Sequence, residues 1–146
     1  MRRNPILLVE DNADDEVLSL RALRNANITN EILVARDGVE ALDQIFGTGT
    51  FKDRGPLNPA VVLLDLKLPL VSGLEVLERI RQTKHTRKLP VVILTSSSEE
   101  EDVARSYELN ANSYVRKPVE FGEFTKVVSQ LGLYWALLNE PPPADK

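Results

Sequence analysis

The stretch Ala60-Val61-Val62-Leu63-Leu64-Asp65-Leu66-Lys67-Leu68-Pro69 decides the fold. Its first five residues are apolar, too few for a helix, and include two β-branched side chains. Such a run reads as a buried strand. Asp65 stands where that run stops and solvent begins. Three other apolar runs end in the same way. Ile6-Leu7-Leu8-Val9 meets Glu10-Asp11, Val91-Val92-Ile93-Leu94 meets Thr95-Ser96, and Ser113-Tyr114-Val115-Arg116 meets Lys117-Pro118. Open parallel α/β sheets bind ligands outside the carboxyl ends of their strands. If the four strands are parallel neighbours, three acids, a hydroxyl and an ammonium share one rim.

Between these runs the pattern is helical. Asn12 to Asp15 is rich in helix-starting residues, and a helix to about Ala26 follows, with Val17, Leu20 and Leu23 as its apolar stripe. Glu31 to Ala35 reads as a further strand, and Asp37 starts a helix carrying Val39, Leu42 and Phe46. Gly47 to Pro59 holds three Gly and two Pro, a long loop. Val76, Leu77 and Ile80 mark a third helix. Ser97 or Ser98 caps a fourth, whose first turn carries the acids that a helix start favours. Phe124, Val127, Val128 and Leu131 mark a fifth. Five βα units imply right-handed crossovers and a parallel sheet covered on both faces. The expected fold is α/β, flavodoxin-like and doubly wound, with five strands in the order 2-1-3-4-5 and five helices. That order sets Glu10 and Asp11 across a crevice from Asp65.

The chain has 146 residues and suits one domain: residues 1–138 folded, with an extended C-terminal helix, and residues 139–146 a disordered tail. A net charge of −4 and the lack of a basic cluster speak against nucleic acid as a partner. There is no cysteine, so disulfide and thiol chemistry are excluded. Ile6 to Val9 is too short for a signal peptide or a membrane span, so a soluble cytoplasmic protein is expected.

Three acids crowded on a rim repel one another and need compensation, from a proton, Lys117 or a cation. A hard divalent ion suits oxygen ligands. Mg²⁺ takes one or two carboxylates and shares a phosphate. The backbone carbonyl of Lys67 could add a ligand. A carboxylate can also attack phosphorus and form an aspartyl-phosphate. Lys117 and Thr95 would then serve the phosphoryl oxygens. No Gly-rich turn follows the first strand, so a dinucleotide site is not supported.

The segments ILLVEDN, VVLLDLKLPLVSGLEVL, PVVILTSS and NSYVRKPV together resemble the receiver domain of two-component response regulators, in order and spacing across roughly residues 5–131. The resemblance implies that Asp65 is the phosphoacceptor and that Glu10, Asp11, Asp65 and the Lys67 carbonyl hold Mg²⁺. It implies that Thr95 and Tyr114 are the switch pair and Lys117 the phosphoryl-binding lysine. It also implies a cis bond before Pro118, although an arbitrary X–Pro bond is cis in only about 5–6% of cases. Lys67 departs from the neutral residue common at that position. The long loop, the segment SSEEEDVARSYELNANSYVRKPVEFGEF and LYWALLNEPPP are similar to stand-alone regulators paired with bacterial phytochromes. That similarity implies a light-regulated sensor histidine kinase as donor and a homodimer.

The expected function is therefore a signalling module rather than an enzyme. Phosphorylation would change the face built from helix four, strand five and helix five. The alternatives are a scaffold that needs no phosphorylation and a phosphatase of the haloacid-dehalogenase type. The latter requires a second acid two residues past the nucleophile, where Lys67 stands. Each residue also has a plainer reading. Asp65 could cap a helix, Lys117 could be solvated, Tyr114 could be simple core, and His85 reads as surface. Phe121, Phe124, Val128, Leu131, Tyr134 or Trp135, and Leu138 continue one helical face. Gly132 could break it, at about 1 kcal/mol relative to Ala. If the helix persists, Tyr134 and Trp135 are interface candidates for a dimer. Otherwise they fold back on the domain.

Overall fold

A computed structural model describes residues 4–143. Each apolar run forms a strand: β1 (Ile6–Val9), β2 (Ile32–Ala35), β3 (Val61–Leu64), β4 (Val91–Thr95) and β5 (Ser113–Arg116). They make one parallel sheet in the order β2-β1-β3-β4-β5, the expected flavodoxin-like topology. Every residue of β1, β3 and β4 is buried, because helices cover both faces. β1 and β3 run in register, with Ile6 opposite Val61 and Val9 opposite Leu64. Glu10 and Asp65, the next residue of each strand, therefore emerge side by side.

The helices are α1 (Ala13–Asn25), α2 (Gly38–Phe46), α3 (Gly73–Gln82), α4 (Glu100–Glu108) and α5 (Phe121–Gly132). Side-chain caps start four of them, from Asn12, Asp37, Ser72 and Glu120. Alternate strand residues divide the core. Ile6, Leu8, Val61 and Leu63 pack with α1 and α5, while Leu7, Val9, Val62 and Leu64 pack with α2 and α3. The stripe expected of α3 is correct, since Val76, Leu77 and Ile80 are fully buried. That of α1 is rotated: Leu23 is buried, but Val17 is half exposed, and Ser19 and Ala22 face inward instead. Small residues there let α1 and α5 approach, and the Ser129 hydroxyl donates to the Ala22 carbonyl across the gap (3.1 Å).

Gly132 serves the same approach. A Cβ at this position would collide with Leu23 and Ile28. The residue keeps helical geometry (φ −61°, ψ −47°), and the helix continues as a wider π-helical segment, Leu133–Leu138. Trp135 and Ala136 pack against the α1–α5 side of the core. Tyr134 stacks edge-on against Trp135, with ring centroids 5.1 Å apart, and stays half exposed, as Leu133, Leu137 and Leu138 also stay exposed. The aromatic pair thus splits, one ring folded back and one facing outward.

The long loop contains a single 3-10 turn, Gly49–Phe51. Arg54 holds it, donating to the Gln44 carbonyl (2.5 Å) with its guanidinium over the Phe51 ring. Residues 139–143 have no regular structure. Pro141, Pro142 and Pro143 line a hollow of about 280 Å³ with Asn4, Pro59 and His85, near the residues that precede β1 and β3. Residues 144–146, the rest of the expected tail, lie outside the described residues. Among the described residues, no helix is long and apolar enough to cross a membrane.

Candidate functional site

The carboxyl ends of β1, β3, β4 and β5 bring the predicted side chains together. Asp65 is buried at the end of β3, and both of its oxygens are engaged. Oδ1 accepts the Thr95 hydroxyl (2.8 Å) and the Lys67 backbone N–H (3.2 Å). Oδ2 accepts the Lys117 ammonium (2.8 Å). The Asp65 backbone N–H donates to the Val9 carbonyl (3.1 Å), continuing the β1–β3 ladder. Behind it, Gly73 opens α3 so closely that a Cβ would strike the Asp65 carbonyl and the Leu66 Cα. The glycine is therefore part of what holds the β3–α3 turn in place.

Lys117 lies at the centre. Its side chain is only 8% exposed, and its ammonium reaches Glu10 Oε1 at 2.6 Å, Asp65 Oδ2 at 2.8 Å and Asp15 Oδ2 at 2.9 Å. Burial lowers its affinity for a proton, but hydrogen bonds to Asp65 and Glu10 and the Glu10 charge outweigh that and raise the pKa. Its own N–H donates to the Thr95 carbonyl (2.7 Å), which locks β5 to β4 at this level. The bond from Lys117 to Pro118 is trans, since no described peptide bond is cis. This corrects the expectation carried over from the resemblance. The trans form is intrinsically favoured by about 0.5–1 kcal/mol, and with that bond trans the ammonium reaches its three acids.

Glu10, Asp11 and Asp65 each offer a carboxylate oxygen, all within 4.8 Å of one another. Burial pushes the Glu10 carboxyl up to about 7, against the opposing pull of the Lys117 hydrogen bond and charge. One ammonium faces four acids here, counting Asp15, so the site has spare negative charge. Hard oxygen donors with uncompensated charge fit a divalent cation. Asp11 itself is exposed, as a ligand open to solvent would be. Lys67 is exposed, and its backbone N–H is turned to Asp65.

Thr95 connects the site to the flank. Its Oγ1 accepts the Ser97 N–H at 3.4 Å, and the Tyr114 hydroxyl donates to the Ser97 carbonyl at 2.8 Å. Burial raises the Tyr114 pKa, so the phenol keeps its proton and donates. The Ser97 hydroxyl donates to Asp102 in the first turn of α4 (2.6 Å). Thr95 and Tyr114 are therefore both hydrogen-bonded to Ser97, a residue that the sequence suggests only as a cap.

Two residues of the site do not stand out in the sequence: Asp15 reads there as part of a helix start, and Ser97, with Ser98, as a candidate N-cap. One signal was available for Asp15. It follows Asn12, the cap, by three residues, so its backbone N–H receives the cap bond (3.0 Å) and its carboxylate sits in the first turn beside the rim.

Comparison with known proteins agrees with this geometry. The family model described as response regulator receiver domain matches residues 6–129. The chain is 39% identical over 137 residues to a protein of Methanothrix harundinacea named "Probable methanogenesis regulatory protein FilR2", covering 94% of this chain and 86% of that one. It is 37% identical over 130 residues to response regulator Rcp1 of Synechocystis, covering 89% and 87%. The crystal structure of the Mn(2+)-bound form of Rcp1 matches with a TM-score of 0.89 at 36% identity, over 96% of this chain and 99% of that one. The structure of the bacteriophytochrome response regulator AtBRR matches with a TM-score of 0.75 at 56% identity, over 96% and 99%. The chain belongs to the response regulator receiver domain family, close to Rcp1 and to the bacteriophytochrome response regulators.

Proposed function

We propose that Asp65 is the aspartate that receives the phosphoryl group, as one aspartate does in receiver domains, and that the donor is the phosphohistidine of a phytochrome-type sensor histidine kinase. One observation carries this reading. Two proton donors from neighbouring strand ends, Thr95 and Lys117, converge on the two oxygens of one buried carboxylate, with two further acids alongside.

An Asp65 oxygen attacks phosphorus, the P–N bond to the kinase imidazole breaks, and the imidazole nitrogen leaves with the electron pair. Lys117 then neutralises charge on the equatorial oxygens, and the Thr95 hydroxyl turns from Asp65 to one of them. Glu10, Asp11, Asp65 and the Lys67 carbonyl would hold Mg²⁺, which supplies charge neutralisation at the phosphoryl oxygens when bound. Movement of Thr95 alters its bond to Ser97 and thus the seating of Tyr114. The preferred state of α4, β5 and α5 shifts in response.

The resemblance to bacteriophytochrome response regulators supports the choice of donor. We further assign residues 1–138 to the receiver domain, and we place the protein in the cytoplasm. It would form a homodimer in which exposed Tyr134 serves the interface and Trp135 backs it. Lys67 occupies the position where a phosphatase of the dehalogenase type carries its second acid, so no sustained hydrolysis of phosphate esters is expected.

The test is labelling by acetyl phosphate with and without Mg²⁺, read on phosphate-affinity gels. Stoichiometric, Mg²⁺-dependent labelling that disappears in Asp65→Asn is expected. Labelling that survives in Asp65→Asn overturns the assignment, and a wild type that never labels favours the scaffold alternative.

A further inference from the structure

We infer that Asp15 is a positioning residue for phosphoryl transfer, acting through Lys117; the inference rests on the phosphoacceptor reading of Asp65. An ammonium has three donors and no acceptor. Here all three are matched, by Glu10 at the end of β1, Asp15 in the first turn of α1 and Asp65 at the end of β3. Three anchors from three elements triangulate a charge that sits on a flexible four-carbon stem.

The three anchors do not stand equally through the reaction. Asp65 must offer an oxygen to phosphorus, and Oδ2 is the oxygen that holds Lys117. Oδ1 already accepts two bonds. Glu10 belongs to the group of three acids that could hold a cation. Asp15 stands outside that group and on a different element. It is thus the partner that Lys117 can keep while it leaves Oδ2 and turns to a phosphoryl oxygen. The Asn12 cap bond to the Asp15 backbone N–H fixes this pivot to the start of α1. A side chain that only closed a helix start would have no reason to reach Lys117, 102 residues away.

Charge makes the opposite demand. A negative Asp15 repels an anionic donor, so if its charge mattered most, removing it would speed labelling. Asp15→Ala removes both anchor and charge, whereas Asp15→Asn removes the charge and keeps an oxygen acceptor.

The experiment follows the rate of labelling by acetyl phosphate with Mg²⁺ in the full chain. In the chemical step an Asp65 oxygen–phosphorus bond forms, the phosphorus–oxygen bond to the acetyl group breaks, and acetate leaves with the electron pair. Wild type, Asp15→Ala and Asp15→Asn are compared, and Asp15→Ala is repeated in a Lys117→Met background. A drop of about 3- to 10-fold is expected in Asp15→Ala, a smaller drop in Asp15→Asn, and no further drop once Lys117 is absent, because coupled residues are non-additive. Thermal unfolding of each variant shows that it is folded.

Equal fold-changes in the two backgrounds overturn the inference, as do unchanged or faster rates in both Asp15 variants. Failure of the underlying reading looks different: wild type itself would not label, or Asp65→Asn would. If the Lys117→Met background labels too slowly to measure, the exchange of the Lys117 ammonium protons decides. Faster exchange in Asp15→Ala supports the anchor, and unchanged exchange overturns it.

Discussion

Helices α3 and α4 follow adjacent strands of the same sheet, yet they are attached differently. α3 buries Gly73, Val76, Leu77 and Ile80, and its first N–H donates to the Leu66 carbonyl beside Asp65 (2.9 Å). α4 buries Ser106 alone, and its cap residue Glu99 makes no side-chain cap bond. Its ties are polar: Ser97 to Asp102, and Arg105 to Glu78 at 3.3 Å across to α3. The side of the site that must hold Asp65 still is welded by apolar burial. The α4 side, which the proposed function makes the responding one, is held by a few hydrogen bonds, so displacing it should cost less free energy.

The largest effects come from breaking the welded side. Ile80→Ala should cost about 2–5 kcal/mol of stability, against no more than about 1 kcal/mol for the part-buried Val103→Ala on α4. Urea unfolding measures both, and equal losses would abolish the contrast.

Divalent cation comes next. Saturation at 100 times Kd should stabilise by roughly 2.7 kcal/mol. The pH dependence has a definite sign. Glu10, pushed up to about 7 from an ordinary 4.5, binds its proton more tightly in the folded protein. Without cation, its stabilising contribution is complete below pH 4.5 and is lost as pH rises through 7. Cation binding requires the carboxylate and releases that proton. Thermal shifts with Mg²⁺ should therefore be larger at pH 8 than at pH 5.5. A shift that shrinks on going to pH 8 would exclude Glu10 as a ligand.

Tyr114→Phe removes the bond to the Ser97 carbonyl and should cost about 0.5–1.5 kcal/mol. Amide exchange in α4 should quicken while α3 keeps its protection. Equal acceleration in both helices would mean that the flank is not separable. The smallest effect belongs to Glu78→Gln. Its partner Arg105 is 48% exposed and Glu78 itself 41%, so the loss should stay below about 1 kcal/mol.

Legibility followed the same division. The runs of β1, β3 and β4 could be read because burial on both faces forces uninterrupted apolar sequence, and the stripe of α3 because Val76, Leu77 and Ile80 keep the helical period. Asp65, Glu10, Thr95 and Lys117 could be read because each ends such a run. The phase of α1 could not be read. Val17 fits the 3.6-residue period as well as Ala22 does, and only the close approach of α5, whose Ser129 donates to the Ala22 carbonyl, decides between them. Asp15 and Ser97 looked like ordinary helix-start residues, and their partners lie at distant positions in the chain. The trans bond before Pro118 corrects an expectation that came with the resemblance, since the dipeptide itself favours the trans isomer only mildly.

By itself, the amino-acid sequence determined which residues end strands and therefore which chemistry could gather on one rim, because side-chain period and run length are local properties. Tertiary structure alone decided how the charges are shared. One ammonium against four carboxylates is a matter of ångströms between the ends of β1, β3 and β5 and the first turn of α1. Electrostatic energy depends on those separations and on burial, and neither is written in the order of residues.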